Sequence, residues 1–172
     1  MQAGDIIAVR GRSWLAKRIR YFMALYLKRK GKSVGRLYNH IAVVIEVNGQ
    51  LMIAEALGWG VVIHSIEQAG YDKGNHFVIL RHKRGFTREQ IDAITTRMIV
   101  LSGTRYQYEN FIQWVLRITL GLNVFRRSNE KAIYCSELGA IAINEAYPNT
   151  FSRPNETNPM DFFLNDNFNV IW

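Results

Sequence analysis

The sequence contains few residues that could crosslink the chain through covalent bonds or metal ions. Its 172 residues include one cysteine and four histidines. One cysteine excludes a disulfide within the chain and cannot build a zinc site by itself. His76 and His82 are separated by five residues with no carboxylate among them, which is not the spacing of metal ligands. We therefore expect one domain over residues 1–172, without a structural metal and held together by its hydrophobic core.

Long apolar runs and a secretory signal are missing as well. No uncharged apolar stretch is long enough to cross a bilayer. The first residues, Met1 to Asp5, lead directly into a strand-like run and not into the apolar core of a signal peptide. We therefore expect a cytoplasmic protein.

Acidic residues are absent between Ile6 and Ile45, where ten of the 22 basic residues lie. These ten are Arg10, Arg12, Lys17, Arg18, Arg20, Lys28, Arg29, Lys30, Lys32 and Arg36. The other twelve basic residues are balanced by 14 acidic residues, so the net charge of +8 belongs to this one segment. A basic segment on an otherwise neutral protein is a candidate for contact with an anionic partner.

An amphipathic helix is predicted within this basic segment, from the N-cap Ser13 to about Leu27. Its apolar face comprises Leu15, Ile19, Phe22 and Tyr26. Five basic residues beside that face could bind an anionic surface: Lys17, Arg18, Lys28, Arg29 and Lys30. Of the two anionic partners, we expect a membrane surface in preference to a nucleic acid. The alternative is an ordinary helix that packs on the core and exposes a solvated basic face.

The strongest local signal is a β-hairpin around Asn48-Gly49, because both residues accept the positive φ angles of a type I′ turn between two apolar runs. That turn places Ala42 opposite Glu55 and makes His40 a diagonal neighbour of Glu55 on the same face. The alternate residues on the first strand point to the core: Ile41, Val43, Ile45 and Val47. A carboxylate in reach of an imidazole orients it as a general base. The alternative is a surface His–Glu pair on the solvated side of the hairpin.

The remaining patterns predict further strands and helices. Strands are expected at 61–64 and 75–82, and helices from the capping box at Thr87 to about Leu101 and at 111–120. A surface loop is expected at 123–131. All three prolines lie after Tyr147, so that tail should be mostly irregular. His64 and His76 have no evident partner and are expected to be structural.

Cys135 is the candidate nucleophile. Apolar residues follow it at helical spacing, namely Leu138, Ile141, Ala142 and Ala146. Cys135 should therefore lie in the first turn of a largely buried helix, where unpaired N–H groups and the helix dipole favour a thiolate. The alternative is a small buried hydrophobe, which is a common role for a free cysteine.

Six segments carry a resemblance to one family. They are Gly4–Ile7, Tyr38–Val44, Ala54–Ala56, Gly103–Tyr106, Tyr134–Leu138 and Asn158–Asp161. In this order they resemble the circularly permuted branch of the NlpC-like, papain-fold cysteine hydrolases, which includes YiiX-like proteins and the lecithin:retinol acyltransferase group. In that branch the histidine strand precedes the nucleophile helix. The chain departs from the family at Arg105, where proline is usual, and at Gln107, where an acidic residue is common.

The resemblance implies an α+β, permuted papain-like fold, in which an antiparallel sheet carries His40 and Glu55 and the Cys135 helix packs against it. It implies that Cys135 attacks an amide or ester carbonyl and that His40 takes the thiol proton. Glu55 would orient the imidazolium, and no cofactor would be needed. The two tyrosines in the matching segments, Tyr106 and Tyr134, become candidates for contacts with the oxyanion or the substrate.

Three functions remain open at this point. The first is hydrolysis of an amide bond, in a peptide or a cell-wall peptide. The second is lipid acyl hydrolysis or acyl transfer, with the basic helix in contact with a membrane. The third is a non-catalytic module that binds a membrane or a nucleic acid. The presence of cysteine, histidine and glutamate in the expected order favours the first two.

Overall fold

The computed structural model describes residues 1–32, 35–71, 76–107 and 132–172. Its strands are β1 (Ile6–Val9), β2 (His40–Val47), β3 (Gln50–Leu57), β4 (Gly60–Ser65), β5 (Phe77–His82), β6 (Arg105–Tyr106), β7 (Ala132–Ile133) and β8 (Phe168–Val170). Its helices are α1 (Trp14–Arg29), α2 (Ile66–Ala69), α3 (Arg88–Leu101), α4 (Cys135–Ala146) and α5 (Asp161–Leu164), with a 3-10 turn at Pro154–Glu156. The predicted helix at 111–120 and loop at 123–131 lie outside the described residues.

Six strands form one antiparallel sheet in the order β4-β3-β2-β1-β5-β8, which confirms the α+β class and the antiparallel sheet. The β2–β3 turn has φ angles of 50° at Asn48 and 76° at Gly49, both in the left-handed region that the predicted turn requires. Ala42 pairs with Glu55, so the predicted register is correct. The short strands β6 and β7 pair in parallel and form a separate two-stranded sheet.

Both faces of the large sheet are covered. The main core lies against α3 and α4 and includes Ile41, Val43, Ile45, Met98 and Leu138. A second cluster on the opposite face includes Val44, Ile53, Tyr71 and Phe77. Glu55 itself is buried on this face, because Tyr71, which follows α2, lies against its carboxylate. The interpretation of His40 and Glu55 as a surface pair is wrong for this reason.

A glycine sets the distance between helix α4 and the sheet. A Cβ atom at Gly139 would lie 2.7 Å from Cγ2 of Ile41 and 3.0 Å from Cζ of Phe162. Any larger residue would therefore push α4 away from β2. The close approach brings the N-terminus of α4, with Cys135, to the beginning of β2, where His40 lies.

Helix α1 begins as predicted, since Oγ of Ser13 accepts a hydrogen bond from the backbone N–H of Ala16. It buries Met23 and Leu27 and leaves Trp14 and Tyr21 exposed. Among the described residues, no helix combines the length and the apolar character needed to cross a bilayer.

The tail after Tyr147 is mostly irregular, as predicted, but near its end β8 pairs with β5 at the edge of the sheet. Only three residues long, β8 is too short to give a periodic signal in the sequence.

Candidate active site

Cys135 is the first residue of α4, and its side chain is buried with 6% exposure. His40 and the backbone of Ile41 and Ser136 lie around the thiol and favour its charged form. Burial opposes the thiolate, but the charge of His40 and these backbone groups outweigh burial and lower the pKa of Cys135. The position at a helix N-terminus acts in the same direction.

The imidazole of His40 lies between the thiol and the carboxylate. Its Nε2 atom is 2.5 Å from Oε2 of Glu55, and its charge also interacts with the thiol of Cys135. Burial disfavours the charged imidazolium, but Cys135 and Glu55 together raise the pKa of His40 to about 10. A raised pKa on His40 and a lowered pKa on Cys135 favour a thiolate–imidazolium pair at neutral pH, and the two groups titrate as a unit.

Glu55 is fixed by three hydrogen-bond donors. Oε2 accepts from Nε2 of His40 and from the hydroxyl of Tyr71 at 2.9 Å, while Oε1 accepts from Nε2 of His64 at 2.7 Å. The residue is only 3% exposed. Burial raises the pKa of a carboxyl group, but these bonds lower the pKa of Glu55 and keep it ionised.

Two of the residues around Glu55 were missed in the sequence. His64 was expected to be structural and without a partner, whereas it binds Glu55. The signal was present, because β4 pairs Val62 with Glu55 and alternation puts His64 on the same face. Tyr71 had no such signal, since it reaches Glu55 only after the chain reverses through α2.

The two tyrosine candidates occupy different positions. Tyr106, in β6, lines the groove above Cys135. Tyr134 precedes α4, and its hydroxyl donates to the backbone oxygen of Thr157 at 2.9 Å. Ser136 donates to the same oxygen at 2.8 Å. The hydroxyl proton of Tyr134 is therefore used to anchor the segment around Thr157 and is not directed at an oxyanion.

An open groove of about 920 Å³ is lined by the three candidate residues Cys135, His40 and Glu55. Trp59, which is 78% exposed, stands at its rim in the β3–β4 turn. The five basic candidates are exposed on α1 and at its C-cap: Lys17, Arg18, Lys28, Arg29 and Lys30. Two of them lie over aromatic rings, with Arg18 at 5.6 Å from the Trp14 centroid and Lys30 at 4.6 Å from the Tyr26 centroid.

Comparisons with known proteins identify the fold. No protein-family model and no curated protein matches the sequence. The fold is similar to the crystal structure of the metalloprotein YiiX from Escherichia coli O157:H7 (DUF1105), with a TM-score of 0.56. The two sequences are 19% identical, and the alignment covers 99% of this chain and 96% of that chain. The chain therefore has a YiiX-like α+β fold.

Proposed function

We propose that this protein is a cysteine hydrolase that cleaves amide bonds through an acyl-enzyme on Cys135. The observation that carries the proposal is that His40, which hydrogen-bonds to the buried carboxylate of Glu55, also interacts with the Cys135 thiol and lowers its pKa. A buried cysteine with a purely structural role has no need of an imidazole partner or of a lowered pKa. The order of these residues, histidine strand before cysteine helix, is also that of the permuted NlpC-like hydrolases.

The reaction follows from the positions of the groups. The Cys135 thiolate attacks the carbonyl carbon, and the oxyanion that forms is stabilised by the backbone N–H of Cys135 at the beginning of α4. The imidazolium of His40 gives its proton to the leaving amine. Water then attacks the thioester while His40 takes a proton from it, which releases the carboxylic acid and restores the thiolate. Glu55 keeps the imidazole oriented throughout.

The substrate that we propose is a peptide or a cell-wall peptide, since the open groove lined by Cys135 has room for an extended chain. Trp59 offers an exposed aromatic surface at the rim. A panel of amide and ester probes followed by intact-mass spectrometry tests this directly. Acyl adducts on Cys135 from amide probes support it, whereas adducts from ester probes alone favour an acyl hydrolase or acyltransferase.

YiiX is described as a metalloprotein, but the described residues of this chain do not form a metal site. Within the described ranges, no three His, Cys, Asp or Glu side chains are arranged to hold a metal ion. His40 and His64 both direct Nε2 at oxygens of Glu55, so their nitrogens serve the carboxylate. The proposed reaction therefore contains no step on a metal ion.

Glu55 should matter less than Cys135. Changing Glu55 to glutamine removes one of the acceptor oxygens and the negative charge, so turnover should fall about 100-fold and stay measurable. Changing Cys135 to alanine removes the nucleophile, and turnover should not exceed background. Steady-state rates of the two variants on one amide probe provide the measurement. Wild-type turnover in Glu55→Gln would contradict the role assigned to this carboxylate.

A second candidate function is lipid acyl hydrolysis or acyl transfer at a membrane. The observation that favours it is the exposure of Trp14 and Tyr21, at 70% and 59%, on the helix that also carries the exposed basic residues. Aromatic and basic side chains together are typical of helices that lie on anionic bilayers. The protein would then associate with the membrane from the cytoplasmic side.

The membrane contact can be measured by co-sedimentation with vesicles rich in acidic lipid. Each basic residue near such a surface contributes about 1 kcal/mol, so changing Lys28, Arg29 and Lys30 to alanine should weaken binding about 100-fold. High salt should also release the protein. Tight binding to DNA or RNA without vesicle binding would favour a nucleic-acid partner instead. Binding to neither would show that α1 is only a scaffold.

A further inference from the structure

A second basic surface begins beside His40. Strands β1 and β2 pair so that Val9 lies opposite His40, and the chain leaves the sheet at the next residue, Arg10. Directly paired residues of antiparallel strands are about 5 Å apart, so the basic segment begins one residue beyond a neighbour of His40. The register of the sheet therefore places part of the basic segment next to the candidate active site.

These side chains line a depression of about 460 Å³, which we call the basic depression. Its cationic residues are Arg10, Arg12, Lys17, Arg20 and Arg36. It shares Gly11 and His76 with the groove above Cys135, so the two spaces adjoin. No acidic residue of the described ranges lines the basic depression.

Arg20 lines the basic depression and is held in place by two hydrogen bonds. Its Nη1 donates to the backbone oxygen of Gly11 at 2.5 Å and to Oδ1 of Asn39 at 2.9 Å. Asn39 also accepts from the backbone N–H of Gly11 and directly precedes His40. Burial lowers the pKa of Arg20, and the nearby charge of Arg10 lowers it further. The guanidinium groups of Arg10 and Arg20 therefore repel each other. In the described part of the chain, no carboxylate forms a hydrogen bond with either group.

We propose that the basic depression binds an oxyanion group, a phosphate or a carboxylate, on the substrate whose scissile carbonyl lies at Cys135. This inference rests on the proposed function and names the substrate class, an anionic amide or ester. Guanidinium groups match the planar, bidentate geometry of both oxyanions. Like charges held together in a cleft attract an anion and are neutralised by it. Arg20 is held by Asn39, the residue directly before His40, so an anion bound to Arg20 lies next to the candidate active site.

Two alkylating reagents that differ only in charge provide the first test. For each protein, the measured quantity is the rate of Cys135 alkylation by iodoacetate divided by the rate with neutral iodoacetamide. This ratio should be higher in the wild type than in a variant in which Arg10, Arg12 and Arg36 are changed to glutamine. We expect the iodoacetate-to-iodoacetamide rate ratio to fall about tenfold in that variant. Both proteins keep His40, whose charge also attracts iodoacetate, so the difference isolates the arginines.

The matched control changes Lys83, Arg84 and Arg153 to alanine. It also removes three positive charges from exposed side chains, and Lys83 and Arg84 follow β5 at the end opposite Phe77, which pairs with Val9. The rate ratio should stay at the wild-type value. An equal fall in both variants would show a general effect of net charge and would overturn the subsite.

Calorimetry on Cys135→Ala separates this inference from the proposed function, because it does not need a reactive thiol. Inorganic phosphate or acetate should bind, and binding should be lost when Arg10, Arg12 and Arg36 are also changed to glutamine. Phosphate binding with no acetate binding identifies a phosphate substrate, and the converse identifies a carboxylate. No binding of either at millimolar concentration would overturn the subsite. A wild-type thiol inert to both reagents would instead overturn the proposed nucleophile.

Discussion

Replacing His40 by alanine is expected to slow the alkylation of Cys135 by iodoacetamide about 10- to 100-fold at pH 6. With an ordinary pKa of about 8.5, a thiol is less than about 1% ionised at this pH. The contact with His40 lowers the pKa of Cys135, so in the wild type much more thiolate is present. A thiolate of lower pKa is a weaker nucleophile, which offsets part of the gain. Intact-mass spectrometry over time measures the rate and shows that one site reacts.

The pH dependence of amide hydrolysis has a defined direction on both its acid and its alkaline side. The thiolate–imidazolium pair forms as the pH rises through the lowered pKa of Cys135. Turnover also needs the proton on His40, which is lost as the pH rises through about 10. Amide hydrolysis should therefore follow a bell-shaped profile with its alkaline limb near pH 10. A wild-type thiol that reacts no faster at pH 6 than a small free thiol would remove the nucleophile from the proposal.

Replacing Arg81 by methionine is expected to destabilise the protein by about 3–5 kcal/mol. Arg81 makes two bonds to Asp5, from Nε to Oδ1 at 2.7 Å and from Nη2 to Oδ2 at 2.8 Å. The carboxylate of Asp5 is fully buried, at the entrance to β1. Without Arg81 a buried negative charge loses its partner, and the melting temperature should fall by roughly 10 °C in a chain of this size.

Arg88 provides the matched control for Arg81. It pairs with Glu46 at 2.7 Å, a distance equal to the shorter Arg81 bond, but its side chain is 64% exposed. Arg88→Met should therefore cost about 1 kcal/mol or less. Adding Asp5→Asn to Arg81→Met should recover part of the lost stability, because no charge is then left buried. Equal melting temperatures for Arg81→Met and Arg88→Met would show that burial of Asp5 does not govern the pair.

Residues close together in the chain determined much of the fold. Asn48-Gly49 fixes the hairpin because both residues accept positive φ, and the register with Ala42 opposite Glu55 follows from that turn. Ser13 and Thr87 set the beginnings of α1 and α3 through hydrogen bonds within three residues. Such features depend only on residues close together in the chain, so they can be predicted from the sequence.

The environment of Glu55 was decided by the tertiary structure. Periodicity showed that His40 and Glu55 share a face, but it could not show that the face is covered. Burial arises because α2 brings Tyr71 back over the sheet. The same packing turns a carboxylate that could have been a surface residue into one held by three donors.

The sequence by itself determined the hairpin register and the position of Cys135 at a helix N-terminus. It also determined the concentration of positive charge from Arg10 to Arg36. Only the tertiary structure decided that the thiol meets His40, that His64 and Tyr71 hold Glu55, and that the basic depression adjoins the groove. The physical reason is separation along the chain. These contacts depend on how α4 packs on Gly139 and how β1 pairs with β2, and no local pattern of residues encodes such distances.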